Sequence, residues 1–402
     1  MDNLESEGSR RLGVQATGIL TPWIRKGDDL IKIVCDSIKK AADDGRIELQ
    51  DGGIVAVTEA VVALSQGNVA HYSDVTADFA RKYKGNRLAI VDPIQSRNRF
   101  IPILETIADV SHFEKIYIFM TYPSDEVGNS LISKLELYKK GIDPNTDVLS
   151  AKQFCAIFGE PKHPFTGVNY FKVFEETCKG KAEIILCNDF SKIPKAFPGN
   201  DYLVCNIHEK EFVKMILSDN GAETVYDMSQ IMSEPGNGKA YNEFHGLYGC
   251  NAQQGRKLKL LPRGCDDFVK LLQDVIFKLL GVKVEILIFG DGAFKDPVGG
   301  IWELADPVTT LAYTEGLKGK PVEVKAKFVI SAAEKGASQE ELQRCVDEAK
   351  EERKRERDIS YNMSLGVTPR RITDLLASLS DLITGSGDRG TPVVYISGYL
   401  DY

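Results

Sequence analysis

Val284-Glu285-Ile286-Leu287-Ile288-Phe289 runs directly into Gly290-Asp291-Gly292. A short apolar run closed by glycine reads as a buried strand. Ahead of it, Phe268, Leu271, Leu272, Val275, Ile276 and Leu279 recur at helical spacing, and Gly281 stands where a C-cap belongs. A helix feeding a buried strand is α/β layering. A carboxylate at the strand's end lies where ligands of α/β sheets sit. Asp291 and Asp296 are therefore candidate ligands of a divalent cation, because hard cations take oxygen donors. Lys295 could neutralise phosphate charge. The same residues also suit a tight turn in which Asp caps the backbone.

Downstream, Val322 to Ile330 alternates like a strand. Ser338-Gln339-Glu340-Glu341 is a capping box opening a charge-dense helix. Thr368-Pro369 starts another helix, with Ile372, Leu375, Leu376, Leu379, Leu382 and Ile383 as its buried stripe. Gly385-Ser386-Gly387-Asp388-Arg389-Gly390 ends it before the strand Val393 to Ile396. These glycines let backbone N–H groups face an anion, as a triphosphate needs. Asp388 could hold a metal and Arg389 could pair with phosphate. An ordinary helix-to-strand turn is the plainer alternative, and the spacing is neither that of a P-loop nor of a Rossmann fingerprint.

Upstream, Gly27-Asp28-Asp29 opens a helix carrying Leu30, Ile31, Ile33, Val34 and Ile38. Asp51-Gly52-Gly53 turns into Ile54 to Val62, a β-branched run read as one buried strand closed by Gly67. Between 84 and 235, the strands Leu88–Val91, Ile116–Phe119, Ile184–Leu186 and Tyr202–Val204 alternate with helical stretches at Phe100–Val110 and Ser130–Lys140. That alternation predicts a separate α/β domain, with Gly236-Asn237-Gly238 as the boundary loop. Ser96-Arg97-Asn98-Arg99 could clamp a carboxylate or phosphate through Arg97 and Arg99; interdomain salt bridges fit them equally. Gly246 to Asn251 is a bent loop whose Asn251 could hydrogen-bond a ligand, or a simple turn.

The 402 residues suit two or three domains, and the net charge of −8 argues against nucleic acid and anionic membranes as partners. None of the eight cysteines forms a Cys-x-x-Cys pair, and no histidines stand at i, i+4. Structural zinc is therefore not expected, and scattered cysteines suit a reducing compartment. With no apolar signal core or span-length apolar run, the chain reads as cytoplasmic.

Taken in order, these pieces resemble the coenzyme F-420:L-glutamate ligase family. Gly18 to Ile24 with Gly27 to Leu30 resembles its nucleotide loop. Ile54 to Gly67 resembles its first strand and phosphate-contacting turn. Gly246 to Asn251 with Leu260 to Arg263, Leu287 to Asp291, and Gly385 to Gly398 resemble its later blocks. The chain differs from the archetype at Tyr248 (a metal-binding Asp), Leu64 (a phosphate-binding Lys) and Ser386 (an acid). The resemblance implies an α+β or mixed α/β ligase domain formed by residues 1–83 and 240–402, with 84–239 an inserted α/β domain. It implies nucleotide binding by Leu20, Trp23, Ile24, Thr58, Glu59, Asn251, Gly292, Gly385, Ser386, Gly387, Arg389 and Gly390. It implies catalysis through Asp291 and Asp388 with Mg²⁺ or Mn²⁺ held by Asp291, Asp296 and Asp388. GTP or ATP would drive joining of L-glutamate to a small carboxylic acid in a homodimer. An F-420 precursor, a folate or another pterin-like acid could be the acceptor. A nucleotide-binding homologue without ligase activity is the remaining alternative.

Overall fold

The computed structural model describes residues 13–164, 166–236, 238–290, 294–295, 302–303, 309–318, 331, 336–355, 371–384 and 390–400. Strands from both ends of the chain build one five-stranded sheet in the order β1 (Gln15–Ile19), β16 (Val393–Ser397), β2 (Ile54–Thr58), β12 (Glu285–Gly290) and β15 (Thr309–Tyr313). The β2–β12 pair is parallel and the other pairs are antiparallel. Both faces are covered, so these strands are apolar nearly throughout. Val55, Val57, Ile286 and Ile288 pack on one face with α1 (Leu30–Asp43) and α10 (Cys265–Leu280). Ile54, Ala56, Leu287 and Phe289 face Ile372, Leu376 and Ala377 of α12 (Ile372–Thr384).

The opening helix follows its sequence signals. Asp29 caps α1 by accepting from the Lys32 N–H at 3.0 Å, and Val34, Cys35 and Ile38 are buried. The run from Ile54 to Val62, expected as one strand, is corrected. The strand ends at Thr58, and α2 (Glu59–Gln66) begins at once, closed by Gly67 at φ +63°. In α12, Leu375 and Leu382 are exposed, whereas Thr373, Ala377, Ser380, Asp381 and Thr384 are buried beside Ile372 and Leu376. The expected stripe is therefore rotated by about one position. The expected strand 322–330 and the Thr368-Pro369 helix start lie outside the described residues.

The middle of the chain forms a six-stranded sheet in the order β6 (Leu149–Ser150), β7 (Ala182–Leu186), β5 (Lys115–Met120), β4 (Arg87–Val91), β8 (Asp201–Val204) and β9 (Thr224–Asp227). All pairs but β6–β7 are parallel. This doubly wound order reverses direction between β4 and β8. Leu88 and Ile90 face α4 (Phe100–Ala108) and α7 (Tyr170–Thr177). Ala89 and Val91 face α9 (Lys210–Asp219). The larger cluster also takes in Tyr72, Val75 and Phe79 of α3 (Tyr72–Lys82) and Tyr248, Cys250, Leu258 and Leu260. Segments flanking the middle sheet thus share its core. A three-stranded sheet, β10 (Asn251–Gln253), β11 (Lys257–Lys259) and β3 (Val69–His71), joins the two larger ones.

Candidate functional site

The parallel register pairs Phe289 with Thr58, so β2 and β12 end side by side. Glu59 and Gly290 follow at that end. A Cβ on Gly290 would collide with the Glu59 side chain, so β12 can pass there only as glycine. Antiparallel β16 enters from the same end, where the Thr58 N–H donates to the Pro392 carbonyl at 2.9 Å. β1 also exits there, and the Thr21 N–H donates to the Gly390 carbonyl at 3.3 Å. One end of the sheet therefore gathers the β1–α1 loop, the β2–α2 turn, the start of β16 and the chain leaving β12.

Leu20 (69% exposed) and Trp23 (86% exposed) stand open on that loop, while Ile24 packs against the core. Glu59 is almost completely buried and ion-paired with Lys259 of β11. Its carboxylate is thereby drawn beneath the sheet end. Lys259 went unnoticed in the sequence because Lys257-Leu258-Lys259 alternates like a half-solvated strand. Asn251 lies directly opposite Lys259 in the β10–β11 register, which puts both side chains on one face. The Ala252 N–H donates to the Asn98 carbonyl at 3.4 Å, bringing the half-buried Arg97 and Arg99 loop beside β10. Residues expected to contribute from separate segments are thus neighbours.

Tyr248 belongs elsewhere. It is buried, its hydroxyl donates to the Asn206 carbonyl at 2.8 Å, and the Lys210 ammonium lies 5.1 Å from its ring centroid. Leu64 is half-buried in α2. Of Lys295, the backbone is described, in a short pairing with Trp302. Asp291, Gly292, Asp296, Gly385, Ser386, Gly387, Asp388 and Arg389 lie outside the described residues. Among the described residues, no three Asp, Glu, His or Cys side chains gather to hold a metal ion.

Asn68 was also missed. Fully buried after α2, its Nδ2 donates to the carbonyls of Tyr241 (2.9 Å) and Leu261 (2.8 Å), and its Oδ1 accepts from the Tyr241 N–H (3.1 Å) and Arg263 Nη1 (2.5 Å). It ties the 241 segment to the 261–263 segment.

Turns gathered at the carboxyl ends of a parallel strand pair make this edge of a mixed α/β fold the candidate ligand site. The chain belongs to the F420-0:gamma-glutamyl ligase family, whose profile matches residues 18–398. Comparison with curated proteins yields no match. None of the eight cysteines is in a disulfide, and no helix among the described residues is long and apolar enough to cross a membrane.

Proposed function

We propose that this protein is a nucleoside-triphosphate-dependent ligase that joins L-glutamate to a small carboxylic acid through an amide bond. The observation that carries the reading is that the β1–α1 loop, the β2–α2 turn, the end of β12 and the start of β16, each within a family-like segment, meet at one end of the five-stranded sheet. An oxygen of the acceptor carboxylate bonds to the γ-phosphorus as the bond to the nucleoside diphosphate breaks. The glutamate amine then attacks the acyl carbon, phosphate leaves, and the amine proton passes to solvent. The protein contributes position and charge. The loop from Leu20 to Ile24 and the glycine turn ending at Gly390 hold the nucleotide, with Asn251 as a donor. Arg97 and Arg99 clamp the acceptor's carboxylate. Asp291, with Asp296 and Asp388, holds Mg²⁺ or Mn²⁺, which when bound neutralises phosphoryl charge.

Thermal unfolding with GTP or ATP, each with Mg²⁺ or Mn²⁺, tests this reading. Ligand at about 100 times its dissociation constant adds about 2.7 kcal/mol, a shift of a few degrees at this size. A metal-dependent shift absent from Asp291→Asn is expected. No shift with any pair would overturn the reading. The buried Tyr248 favours a second reading, a nucleotide-binding homologue without ligase chemistry. Glutamate-dependent phosphate release with any acceptor would exclude it.

A further inference from the structure

A cleft of about 520 Å³ opens at the other end of α2, lined among others by Lys26, Gln66, Gly67, Lys239, Tyr241 and Arg263. The eight-residue helix α2, about 12 Å long, runs from Glu59 to this end. Three cations from separate chain segments meet there, and among the described residues no Asp or Glu lines it. That is an unusual concentration of charge in a chain of net charge −8. Lys239 has a counter-ion, Asp74, at 3.1 Å. Lys26 and Arg263 have no carboxylate partner among the described residues. Elsewhere, Arg81, Arg256 and Arg371 each meet a carboxylate.

Arg263 is held by neutral groups. Its Nη1 donates to Asn68 Oδ1 at 2.5 Å and to the Tyr241 carbonyl at 3.3 Å. Its guanidinium lies over the Tyr241 ring, 4.6 Å from the centroid. Its backbone is fixed on both sides by Gln66, whose Oε1 accepts from the Arg263 N–H (2.9 Å) and whose Nε2 donates to the Arg263 carbonyl (2.7 Å). Nε and Nη2 form no hydrogen bond among the described residues, and together they are the edge that binds an oxyanion in bidentate fashion. The Lys26 stem lies across Gly67, where a Cβ would strike it, so its ammonium is carried on a supported chain. An immobilised guanidinium with an open edge loses little further entropy on binding.

We propose that this cleft is a second ligand site, distinct from the sheet end, that binds a small molecule through a doubly charged oxyanion group, phosphate or dicarboxylate, on Arg263 and Lys26. Its volume accommodates more than the anion alone.

Isothermal titration calorimetry of the whole protein with inorganic pyrophosphate and, separately, glutarate tests this, without divalent metal and at about 50 mM salt, where screening is weak. Binding of at least one probe is expected, and the stronger arm identifies the source of the oxyanion. Arg263→Gln and Lys26→Gln should each weaken it about tenfold or more, the effect of losing one charge-assisted contact. Lys26→Gln breaks no hydrogen bond among the described residues, so it remains informative if Arg263→Gln misfolds. Asp291→Asn should bind as the wild type does, which separates this site from the nucleotide reading. No binding of either probe, or binding that both cleft variants leave unchanged, would overturn the proposal.

Discussion

Tyr248 stands where the family resemblance implies a metal-binding aspartate, and its surroundings show what a carboxylate there would meet. The ring is buried in the larger apolar cluster and the hydroxyl satisfies the Asn206 carbonyl. Burial, with Asp227 nearby, pushes the phenol far above its ordinary range, so it stays a neutral donor. Tyr248→Phe should cost about 1–2 kcal/mol, because it leaves a buried carbonyl without its donor. Tyr248→Asp should cost several kcal/mol more, by burying a carboxylate among apolar groups. Urea unfolding of both variants measures this; a Tyr248→Asp protein as stable as the wild type would refute the account. The Glu59–Lys259 pair permits a sharper test. Lys259→Met strands a buried carboxylate and should cost about 3–5 kcal/mol, whereas adding Glu59→Gln should recover a large part of that loss. Additive costs in the cycle would mean that the pair is not coupled. Neither role was legible in the sequence. The partners lie far apart in the chain, and a lysine in an alternating strand reads as solvent-facing until its neighbour across the fold is known.

Among elements, those legible from sequence draw their signal from residues close together. The spacing of Leu30, Val34 and Ile38 and the Asp29 cap define α1 locally, and Gly281 ends α10 at φ +72° as expected. The Ser338–Glu341 box is present, with Glu341 N–H donating to Ser338 Oγ at 3.2 Å and Ser338 N–H to the Glu341 carboxylate at 2.7 Å. Where tertiary packing decides, local pattern was insufficient. Val61 and Val62 favour strand by propensity, but the chain must turn at Thr58 to leave the sheet between β12 and β16. The three-stranded sheet was invisible because Val69–His71 pairs with Lys257–Lys259 across almost half of the chain, through strands too short to show a period. In α12, the buried side includes Ser380, whose hydroxyl donates to the Leu376 carbonyl at 2.7 Å, so hydrophobicity alone misjudged its rotation. Leu376→Ala should therefore cost about 2–5 kcal/mol, and Leu375→Lys, on the open side, less than about 0.5 kcal/mol. Equal costs for both by chemical denaturation would restore the sequence-based stripe.

On the scale of the whole molecule, the chain's two large sheets place their polar turns differently. The five-stranded sheet gathers the β1–α1 loop, the β2–α2 turn and the start of β16 at the ends of β2 and β12. The six-stranded sheet closes its own switch point with carboxyl groups. Asp92, just past β4, accepts from Asn206 Nδ2 (2.7 Å) and Thr121 Oγ1 (2.9 Å). Glu126, past β5, accepts from the N–H groups of Ile207 (2.9 Å) and His208 (3.4 Å) on the loop leaving β8. Burial raises Asp92 and Asp125 above the usual carboxylate range, and burial with the Asp92 charge lifts Glu126 to about 8. An exposed glutamate in the unfolded chain ionises near 4.5. Between these values the folded protein keeps a proton that the unfolded chain has released. Stability from this group is therefore full below about pH 4.5 and lost as pH rises towards 8. Glu126→Gln can still accept from Ile207 but no longer titrates. Its unfolding free energy should decline less steeply than that of the wild type from pH 5 to 8, each unit of removed shift being worth about 1.4 kcal/mol. Asp92 and Asp125 act in the same direction and leave a residual slope in the variant. Parallel pH profiles for the two proteins would mean that Glu126 is ionised in the crevice, held by the backbone N–H groups of Ile207 and His208 strongly enough to offset its burial.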